Sequence, residues 1–462
     1  MSNIRDSLRL SGECQEWDDA DIEPYIPVFD AVNIEALLAV AQKTRSAFEP
    51  DAKSSCSIDY NILGSYNIMS VIRFSDGLRW AAKIPRYGIA STFGRLNQQK
   101  MLSEILTLRL IRSRTSLPVP DIFDWDVTSR KIGVPYILMS FLPGTTLDER
   151  WTDQRWMPEE RRVALLRNLA KLMSELHALQ FDKIGYLFFD DKGDFVKVDQ
   201  LIAQTEGDIF HPQYDVIGGH QTIRWPEPTV LGPFDSAKSF LLSGVVALEA
   251  EQGLSALAKK QRKADVAVLR LAIDSIPEHL TERDDSFVLA HPTLDAPNIL
   301  VDDNGKITGL IDWDSVQTMP RAYGFSSYPS WITRDWDPIM YENSDPELED
   351  SPDTLSRYRQ IYASAFEGLE LPPNNYIPDE TRLSHIYEAI FVAASSFWNL
   401  SPIDKLLEHA FRGATAEPFN VEQFRTELAN ELETGIANER LARIEEAFRK
   451  MWYPEWEFGL AL

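Results

Sequence analysis

The spacing of apolar residues changes along the chain, and this change limits the folds that the chain can adopt. Residues 68–74 and 78–84 are β-rich runs that flank Ser75-Asp76-Gly77. An Asp-Gly pair between two such runs predicts a β-hairpin. A helical pattern follows at about 96–114, and the short apolar run 136–142 predicts one more buried strand. The first part of the chain is therefore expected to be a β-rich unit that carries one helix.

After Pro143-Gly144 the pattern becomes mostly helical. Stripes of apolar residues at helical spacing cover 165–181, 257–276 and 424–448, and the last of them predicts one long C-terminal helix. Residues 285–320 return to strands and turns. This order predicts an α+β chain in which a small antiparallel β lobe is hinged to a larger helical lobe, and clefts between lobes are common ligand sites.

The charge balance argues against some partners. The chain of 462 residues has 46 Lys plus Arg and 71 Asp plus Glu, which gives a formal net charge of −25. Such a surface repels phosphate backbones and anionic lipids. We therefore expect no nucleic-acid partner and no membrane partner. An anionic substrate is expected to need a locally basic pocket or metal ions.

The cysteine content and the hydropathy pattern predict a cytoplasmic protein. The two cysteines, Cys14 and Cys56, cannot form a disulfide framework, which fits a reducing compartment. No run approaches the roughly 18 apolar residues of a membrane span. The first residues also lack the apolar core of a signal peptide.

One segment, 287–320, combines residues that suit phosphoryl transfer. It contains His291 and Asn298, and a hairpin with the turn 302–306 then leads to Asp312. Phosphoryl transfer needs metal ions that bridge the phosphates, a nearby cation and a group that orients or deprotonates the nucleophile. One carboxylate and one amide oxygen are a sufficient protein contribution to a Mg²⁺ site. Asn298 and Asp312 are therefore candidate metal ligands.

These motifs resemble the aminoglycoside phosphotransferase family, which has a two-lobed protein-kinase-like fold, and especially its fungal branch. The family's catalytic loop reads His-Gly-Asp-x-x-x-x-Asn, and its metal motif reads Ile-Asp-Trp-Glu/Asp. Here residues 291–298 read His-Pro-Thr-Leu-Asp-Ala-Pro-Asn, and Ile311-Asp312-Trp313-Asp314 follows the hairpin. The resemblance covers about residues 56–325. It implies ATP and Mg²⁺ as cofactors and a small-molecule hydroxyl as the phosphate acceptor.

The resemblance includes the lysine that holds phosphate in this family. The segment 80–86 resembles the family's third strand, in which Lys83 is that lysine, and Glu104 matches the helical carboxylate that positions it. On a strand, Ala81 and Lys83 share one face. The small Ala81 thus leaves room for a flat base while Lys83 reaches toward phosphate.

Two further segments resemble parts of the family's nucleotide site. The turn Leu63-Gly64-Ser65-Tyr66-Asn67 lies where the family covers the phosphates, and residues 136–144 match the strand and hinge whose backbone binds adenine. The resemblance therefore implies a nucleotide site formed by Gly64, Ser65, Ala81, Lys83, Glu104 and Met139.

The chain departs from the family at the catalytic aspartate, whose position is occupied by Thr293. A threonine hydroxyl is not a general base near neutral pH, which predicts transfer that is lost or greatly reduced. Asp295, two residues further on, is an alternative base in a displaced position, although it brings negative charge near the phosphates. His291 belongs to the same catalytic loop, where the resemblance implies a hydrogen bond to the backbone.

Three functions are compatible with these residues. The first is ATP- and Mg²⁺-dependent transfer of the γ-phosphate to a hydroxyl of an unknown small molecule, for which Lys83, Glu104, Asn298 and Asp312 are retained. The second is a pseudokinase that binds nucleotide and acts as a regulatory or scaffold protein. The third is another nucleotide-dependent transfer, such as nucleotidylation.

The same pattern predicts the domain organisation. Residues 1–50 are expected to form an irregular arm and a helix, 51–138 the β-rich N-lobe, 139–144 the hinge and 145–462 the helical C-lobe. The C-lobe is expected to carry the catalytic hairpin 287–316, the substrate-side helices and the C-terminal helix.

Overall fold

The computed structural model of this chain describes most of its residues. Of the sequence features above, Cys14 lies outside the described residues. The described residues are 22–51, 55–203, 213–217, 220–224, 229–250, 253–281, 287–342, 349–367, 369, 377–395, 400–412 and 419–453.

The strands of the described residues pair only in antiparallel fashion. In chain order they are β1 (Cys56–Leu63), β2 (Asn67–Phe74), β3 (Arg79–Pro85), β4 (Ile122–Asp126), β5 (Tyr136–Ser140), β6 (Thr145–Thr146), β7 (Gln180–Phe181), β8 (Tyr186–Phe189), β9 (Phe195–Asp199), β10 (Leu201–Ala203), β11 (Gln213–Ile217), β12 (His220–Arg224), β13 (Thr229–Leu231), β14 (Phe287–Ala290), β15 (Ile299–Val301), β16 (Ile307–Leu310) and β17 (Gln317–Pro320).

Most of the α-helices follow the hinge in sequence. They are α1 (Ile26–Ala31), α2 (Ile34–Phe48), α3 (Arg95–Arg114), α4 (Asp148–Trp151), α5 (Glu159–Ser174), α6 (Ala237–Ala250), α7 (Ala256–Ser275), α8 (Glu278–Thr281), α9 (Pro338–Glu342), α10 (Pro352–Glu367), α11 (Ile377–Ser395), α12 (Pro402–Ala410), α13 (Val421–Thr434) and α14 (Asn438–Met451).

The chain divides into two compact units, and each is built from three separate stretches of sequence. Unit 1 contains the large sheet and the hairpin β15–β16, and unit 2 contains most of the helices. Unit 1 consists of Met1–Glu149, Tyr186–Leu231 and Pro297–Val316, and unit 2 consists of Arg150–Gly185, Gly232–Ala296 and Gln317–Leu462.

Unit 1 is organised by a five-stranded sheet with the strand order β1-β2-β3-β5-β4. The predicted hairpin forms between β2 and β3, with Ile72 opposite Trp80 and Met69 opposite Lys83. Trp80 and Ala82 belong to an apolar core to which α2 also contributes. Because side chains alternate between the two faces of a strand, Lys83 points to the opposite face. The predicted α+β composition with an antiparallel sheet is confirmed.

The hairpin β15–β16 lies in unit 1, where β15 also pairs with β6. Gly144 precedes β6 with a φ of +134°, and a Cβ atom there would lie 2.6 Å from Thr308 Oγ1 and 2.9 Å from the carbonyl oxygen of Val301. Glycine is therefore required for this close approach. The predicted turn Pro143-Gly144 thus packs directly on the hairpin that leads to Asp312.

Unit 2 is mostly helical. Its main core combines buried residues of α6, α7, α11, α12, α13 and α14. A small sheet with the order β17-β14-β7 also belongs to this unit. The last residue of β14, Ala290, leads directly into the predicted catalytic loop.

The apolar stripe 424–448 forms two helices, which corrects the prediction of one long C-terminal helix. α13 ends at Gly435, which adopts a left-handed φ of +76° and donates its N–H to the carbonyl oxygen of Glu431. Glycine is the residue that most readily ends a helix in this way. The stripe spans the break because Phe424 and Phe448 belong to the same apolar core.

The first 30 residues are not entirely irregular as predicted. A 3-10 helix, Glu23–Tyr25, and α1 precede α2, and Tyr25 and Val28 are buried in the core of unit 1. The strands β8 to β13 were also not predicted. β9 and β13 are short and largely exposed, so their sequences carry only a weak strand signal.

None of the individual helices in the described residues combines the length and apolar character needed to cross a membrane. One bent pair of consecutive segments, Glu23–Ala31 with Ile34–Phe48, meets the length and composition criteria only when taken together.

Candidate active site

Lys83 is a buried lysine held between two carboxylates of unit 1. It lies on β3 and is 6% exposed. Its Nζ atom is 2.6 Å from Glu104 Oε1 and 2.7 Å from Asp314 Oδ1. Glu104 comes from α3, and Asp314 follows β16 in the chain. Because an unpaired buried ammonium group is costly, these carboxylates allow Lys83 to stay charged in this position.

The electrostatics of this cluster are dominated by opposite charges. Burial alone would lower the pKa of Lys83, but the carboxylates of Asp314, Glu104 and Asp312 raise that pKa above its ordinary value. Burial alone would raise the pKa of Asp314, but Lys83 holds it well below its usual range. At neutral pH, Lys83 is therefore an ammonium ion and Asp314 a carboxylate.

The two predicted metal ligands lie at the same end of the hairpin β15–β16. The N–H of Ile311 donates to the carbonyl oxygen of Asn298 at 3.0 Å, which brings the two arms of the hairpin together there. Asp312 has a φ of +61°, a left-handed conformation that is uncommon for a residue other than glycine. Burial and the neighbouring Asp314 raise the pKa of Asp312.

The donor set at this end of the hairpin suits a metal ion that is shared with a nucleotide. Among the residues that the structure describes, no group of three or more His, Cys, Asp or Glu side chains is arranged to hold a metal ion. Mg²⁺ is typically bound by one or two carboxylates together with substrate phosphates and water, not by an all-protein cage. The carboxylate of Asp312 and the amide oxygen of Asn298 fit that requirement.

The remaining predicted nucleotide residues also lie in unit 1. Gly64 and Ser65 are exposed in the turn between β1 and β2, where the N–H of Gly64 donates to the carbonyl oxygen of Asn67 at 2.9 Å. Ala81 and Met139 are opposite each other on β3 and β5. Both are buried, with 4% and 5% exposure, and they form a small apolar patch near the middle of the sheet.

The predicted catalytic loop belongs to unit 2 and is fixed by local hydrogen bonds. His291 is buried, and its Nδ1 atom accepts from the N–H of Thr293 at 3.2 Å. The N–H of Asp295 donates to the carbonyl oxygen of Thr293 at 2.9 Å. Asp295 Oδ1 accepts from the N–H of Ala296 at 2.8 Å. His291 thus shapes the backbone of a tight turn, and Thr293 is exposed on that turn.

A cavity of about 180 Å³ lies beside Asp295 within unit 2. Three of its lining residues are carboxylates, namely Asp295, Asp337 and Glu388, and the indole of Trp336 adds an aromatic surface. The cavity therefore combines negative charge with apolar surface. The other lining residues are Ser330, Thr333, Arg334, His385, Ala389, Val392 and Pro402.

One carboxyl group of this cavity, that of Glu388, has a strongly shifted pKa. Glu388 lies on α11, and its Oε2 atom accepts from Thr333 Oγ1 at 3.1 Å. Burial raises the pKa of Glu388 to about 7, an effect that the Thr333 hydroxyl opposes and Asp295 reinforces. A carboxyl group with such a pKa exchanges its proton near neutral pH. Burial also lowers the pKa of His385 well below its ordinary value, so its imidazole is neutral.

Lys83, Glu104, Asn298 and Asp312 lie within a range of the sequence that matches a known family. The model described as "Phosphotransferase enzyme family", abbreviated APH, matches residues 70–359. The chain belongs to this family. The matched range contains all four residues, and it ends within α10, before Glu388.

Curated relatives of this phosphotransferase-family chain include fungal proteins. A segment of 150 residues is 27% identical to "Altered inheritance of mitochondria protein 9, mitochondrial" of Meyerozyma guilliermondii, and it covers 32% of this chain and 23% of the relative. The protein of the same name in Eremothecium gossypii is 21% identical over 375 residues, which cover 70% of this chain and 56% of the relative. The chain thus spans less than a quarter of the first relative and about half of the second.

Solved structures of aminoglycoside phosphotransferases are also similar to this chain. One is the ternary complex of a thermostable mutant of aminoglycoside phosphotransferase APH(4)-Ia with AMP-PNP and hygromycin B. It has 13% sequence identity and a TM-score of 0.40, and the alignment covers 88% of this chain and 97% of that chain.

Sequence reasoning missed several residues that the structure places at these sites. Asp314 stands in a motif that drew attention to Asp312, and Asn67 stands at the end of the predicted phosphate-covering turn. The motif and the turn were the available signals for these two. Thr333 stands in the aromatic and acidic segment 331–337, whose composition fits either a packed loop or the lining of a substrate pocket. Glu388 belongs to no recognisable motif, so the sequence offered no signal for it.

Glu388 predicts a specific pH dependence of stability. Its pKa of about 7 in the folded protein exceeds the value of about 4.3 for an unfolded chain. The stabilising contribution of the protonated group is therefore complete below about pH 4.3 and is lost as the pH rises toward 7. The Glu388→Gln variant lacks this titration. Its unfolding free energy minus that of the wild type should therefore be about 1–3 kcal/mol higher at pH 8 than at pH 5. Urea unfolding at both pH values measures this.

The matched control for this experiment is Glu422→Gln, because Glu422 is exposed on α13. Its unfolding free energy relative to the wild type should change little between the two pH values. An equally flat response of Glu388→Gln would show that Glu388 is ionised in the folded protein across this range.

Proposed function

We propose that this chain is an ATP- and Mg²⁺-dependent phosphotransferase that transfers the γ-phosphate of ATP to a hydroxyl group of a small molecule. The observation that carries this proposal is the buried Lys83–Glu104 ion pair, with 2.6 Å between Nζ and Oε1. It lies in the same compact unit as Asn298 and Asp312. Membership of the phosphotransferase family supports the same reaction class.

Each residue of unit 1 has a role that follows from its chemistry. Lys83 binds the phosphate chain as a cation, and Glu104 holds the lysine in position. Asn298 and Asp312 would hold Mg²⁺, which would neutralise the charge that develops on the phosphates. The apolar patch of Ala81 and Met139 offers a flat surface for the adenine ring.

The cavity of unit 2 is the proposed acceptor site. Asp295, Asp337 and Glu388 contribute carboxylates, whereas the charge of Arg334 is already paired with Glu349 at 2.6 Å. A cavity of about 150 Å³ holds a benzene molecule, so this slightly larger one suits one ring or a short chain. A small polyol or amino alcohol with positive charge fits this lining. Hygromycin B, bound in the APH(4)-Ia structure, is an example of a small-molecule ligand in a related protein.

The proton acceptor for the attacking hydroxyl is proposed to be Asp295. It lines the cavity, and it stands three residues before Asn298 in the chain. Thr293 occupies the position of the family's catalytic aspartate and has no acidic group with which to accept that proton. We therefore assign the role of base to the displaced carboxylate and a role in loop structure to His291.

A second candidate function is favoured by the same threonine. A chain that keeps Lys83, Glu104 and Asp312 but lacks the catalytic aspartate has the features of a pseudokinase, which binds nucleotide without transferring phosphate. In that case the cavity of unit 2 would serve recognition only. A nucleotide-dependent transfer other than phosphorylation would use the same residues of unit 1.

The other partners and the location stay predictions. A small-molecule acceptor is proposed, with neither nucleic acid nor membrane as a partner, because the net charge of −25 opposes both. A cytoplasmic location is proposed from the cysteine content. The name of the curated relatives contains the word mitochondrial, so fractionation of cells that express a tagged chain is the appropriate test.

Nucleotide binding can be tested without knowledge of the acceptor. At about 100 times the dissociation constant, ATP with Mg²⁺ should raise the unfolding temperature by roughly 5 °C. Neither ATP nor Mg²⁺ alone should give that rise, since each depends on the other for charge neutralisation. In Lys83→Met and Asp312→Asn the rise should fall by at least half, as measured by differential scanning fluorimetry.

Lys306→Met is the matched control, because Lys306 is an exposed lysine in the turn of the same hairpin. It should keep the full rise in unfolding temperature. An unchanged response to ATP and Mg²⁺ in Lys83→Met would contradict the assignment of the nucleotide site.

Variants of the catalytic loop separate the phosphotransferase from the pseudokinase. If Asp295 is the base, Asp295→Asn should lower ADP release from Mg-ATP by about 10²–10⁴-fold. The assay measures ADP with water or a panel of hydroxyl-bearing amines as acceptors, and the exposed Asp303→Asn serves as the control. A silent wild type that becomes active in Thr293→Asp would favour the pseudokinase instead.

A further inference from the structure

The carboxylate of Asp314 is held by two side chains of unit 1, Lys83 and Asn67. Its Oδ1 atom is 2.7 Å from Lys83 Nζ, and its Oδ2 atom accepts from Asn67 Nδ2. Both carboxylate oxygens are therefore engaged, one by the predicted phosphate-binding lysine and one by the residue at the end of the predicted phosphate-covering turn.

The space beside Lys83 is small in this arrangement. The cavity lined by Asn67, Lys83, Glu104 and Asp314 measures about 20 Å³, which is enough for about one water molecule. A phosphate group, which is larger than water, has no room there while the Asp314 carboxylate stays in place. Asp314 thus occupies the kind of position on Lys83 that a phosphate oxygen would take.

The charge around Lys83 adds to this obstacle. Asp314, Glu104 and Asp312 all act electrostatically on Lys83, and Lys100 is a second cation that lines the same cavity. Three acidic side chains therefore act on Lys83, and one of them, Asp314, is also influenced by Lys100. A polyphosphate chain brings further negative charge to this cluster and is repelled unless cations offset it.

We propose that Asp314 is an internal counter-anion that competes with phosphate for Lys83, so that nucleotide binding requires a divalent cation. This inference rests on the proposed nucleotide site. It assigns a function to the second aspartate of Asp312-Trp313-Asp314 that differs from metal ligation by Asp312 and from the permanent positioning of Lys83 by Glu104. Its effect is to make metal-free ADP and ATP poor ligands.

The test is isothermal titration calorimetry on the full chain with ADP, in EDTA and in excess Mg²⁺. In the wild type, ADP should bind at least 30-fold more weakly in EDTA than in excess Mg²⁺. In Asp314→Asn, which keeps the size of the side chain but removes its charge, the affinity for ADP in EDTA should rise at least tenfold. The ratio between the affinities in Mg²⁺ and in EDTA should shrink accordingly, because Lys83 is then no longer paired with the carboxylate of Asp314.

Three controls make the outcome specific. Adenosine has no phosphate, so its affinity should be the same in the wild type and in Asp314→Asn. Asp303→Asn removes an exposed carboxylate from the turn of the same hairpin and should leave all affinities unchanged. Asn67→Ala removes the hydrogen bond to Asp314 without changing any charge, and it should strengthen ADP binding in EDTA by a smaller factor. This variant also serves if Asp314→Asn does not fold.

The outcomes separate the inference from the proposed function. If the wild type binds Mg-ADP but Asp314→Asn binds ADP more weakly than the wild type in both conditions, Asp314 is a positioning residue and the counter-anion proposal is wrong. Equal binding of ADP by the wild type with and without Mg²⁺ would also overturn it. If neither the wild type nor any variant binds ADP or ATP with Mg²⁺, the proposed nucleotide site itself is wrong.

Discussion

The buried ammonium group of Lys83 is the interaction on which the arrangement of unit 1 depends. A lysine that is 6% exposed needs anionic partners, and removing one partner from a buried pair typically costs about 3–5 kcal/mol. Glu104 and Asp314 satisfy this need from α3 and from the end of the hairpin β15–β16. The same ion pairs therefore join β3, a helix and a hairpin that are far apart in sequence.

Much of this arrangement could be predicted from the sequence because it depends on short-range patterns. The alternation of residues on β3 places Lys83 on the face opposite Trp80, and the turn chemistry of Asp76-Gly77 and Asn304-Gly305 predicts both hairpins. The choice of Asp314 as the partner of Lys83 could not be predicted in this way. It depends on a contact between residues that are 231 positions apart, which no local pattern specifies. Glu388 could not be predicted because its contact with Thr333 is set by helix packing.

In the proposed reaction, the two units have different tasks. Unit 1 has to stabilise negative charge, and it does so with cations and a metal-ligand pair beside a sheet. Unit 2 has to recognise an acceptor and remove a proton, and its cavity offers carboxylates, one of them with a pKa near 7. Thr293 stands where the family has its catalytic aspartate, and this difference affects only the proposed proton removal in unit 2. If the proposed function holds, nucleotide binding and phosphate transfer are therefore separable by mutation.

The central claim, that Lys83 and the end of the hairpin bind one metal-chelated nucleotide, is tested most directly by hydrogen–deuterium exchange with AMP-PNP. Amides of the turn 64–67 and of residues 312–315 should exchange more slowly when AMP-PNP and Mg²⁺ are both present. Neither compound alone should protect both segments. Protection of other segments only, under conditions in which calorimetry shows that AMP-PNP is bound, would contradict the account.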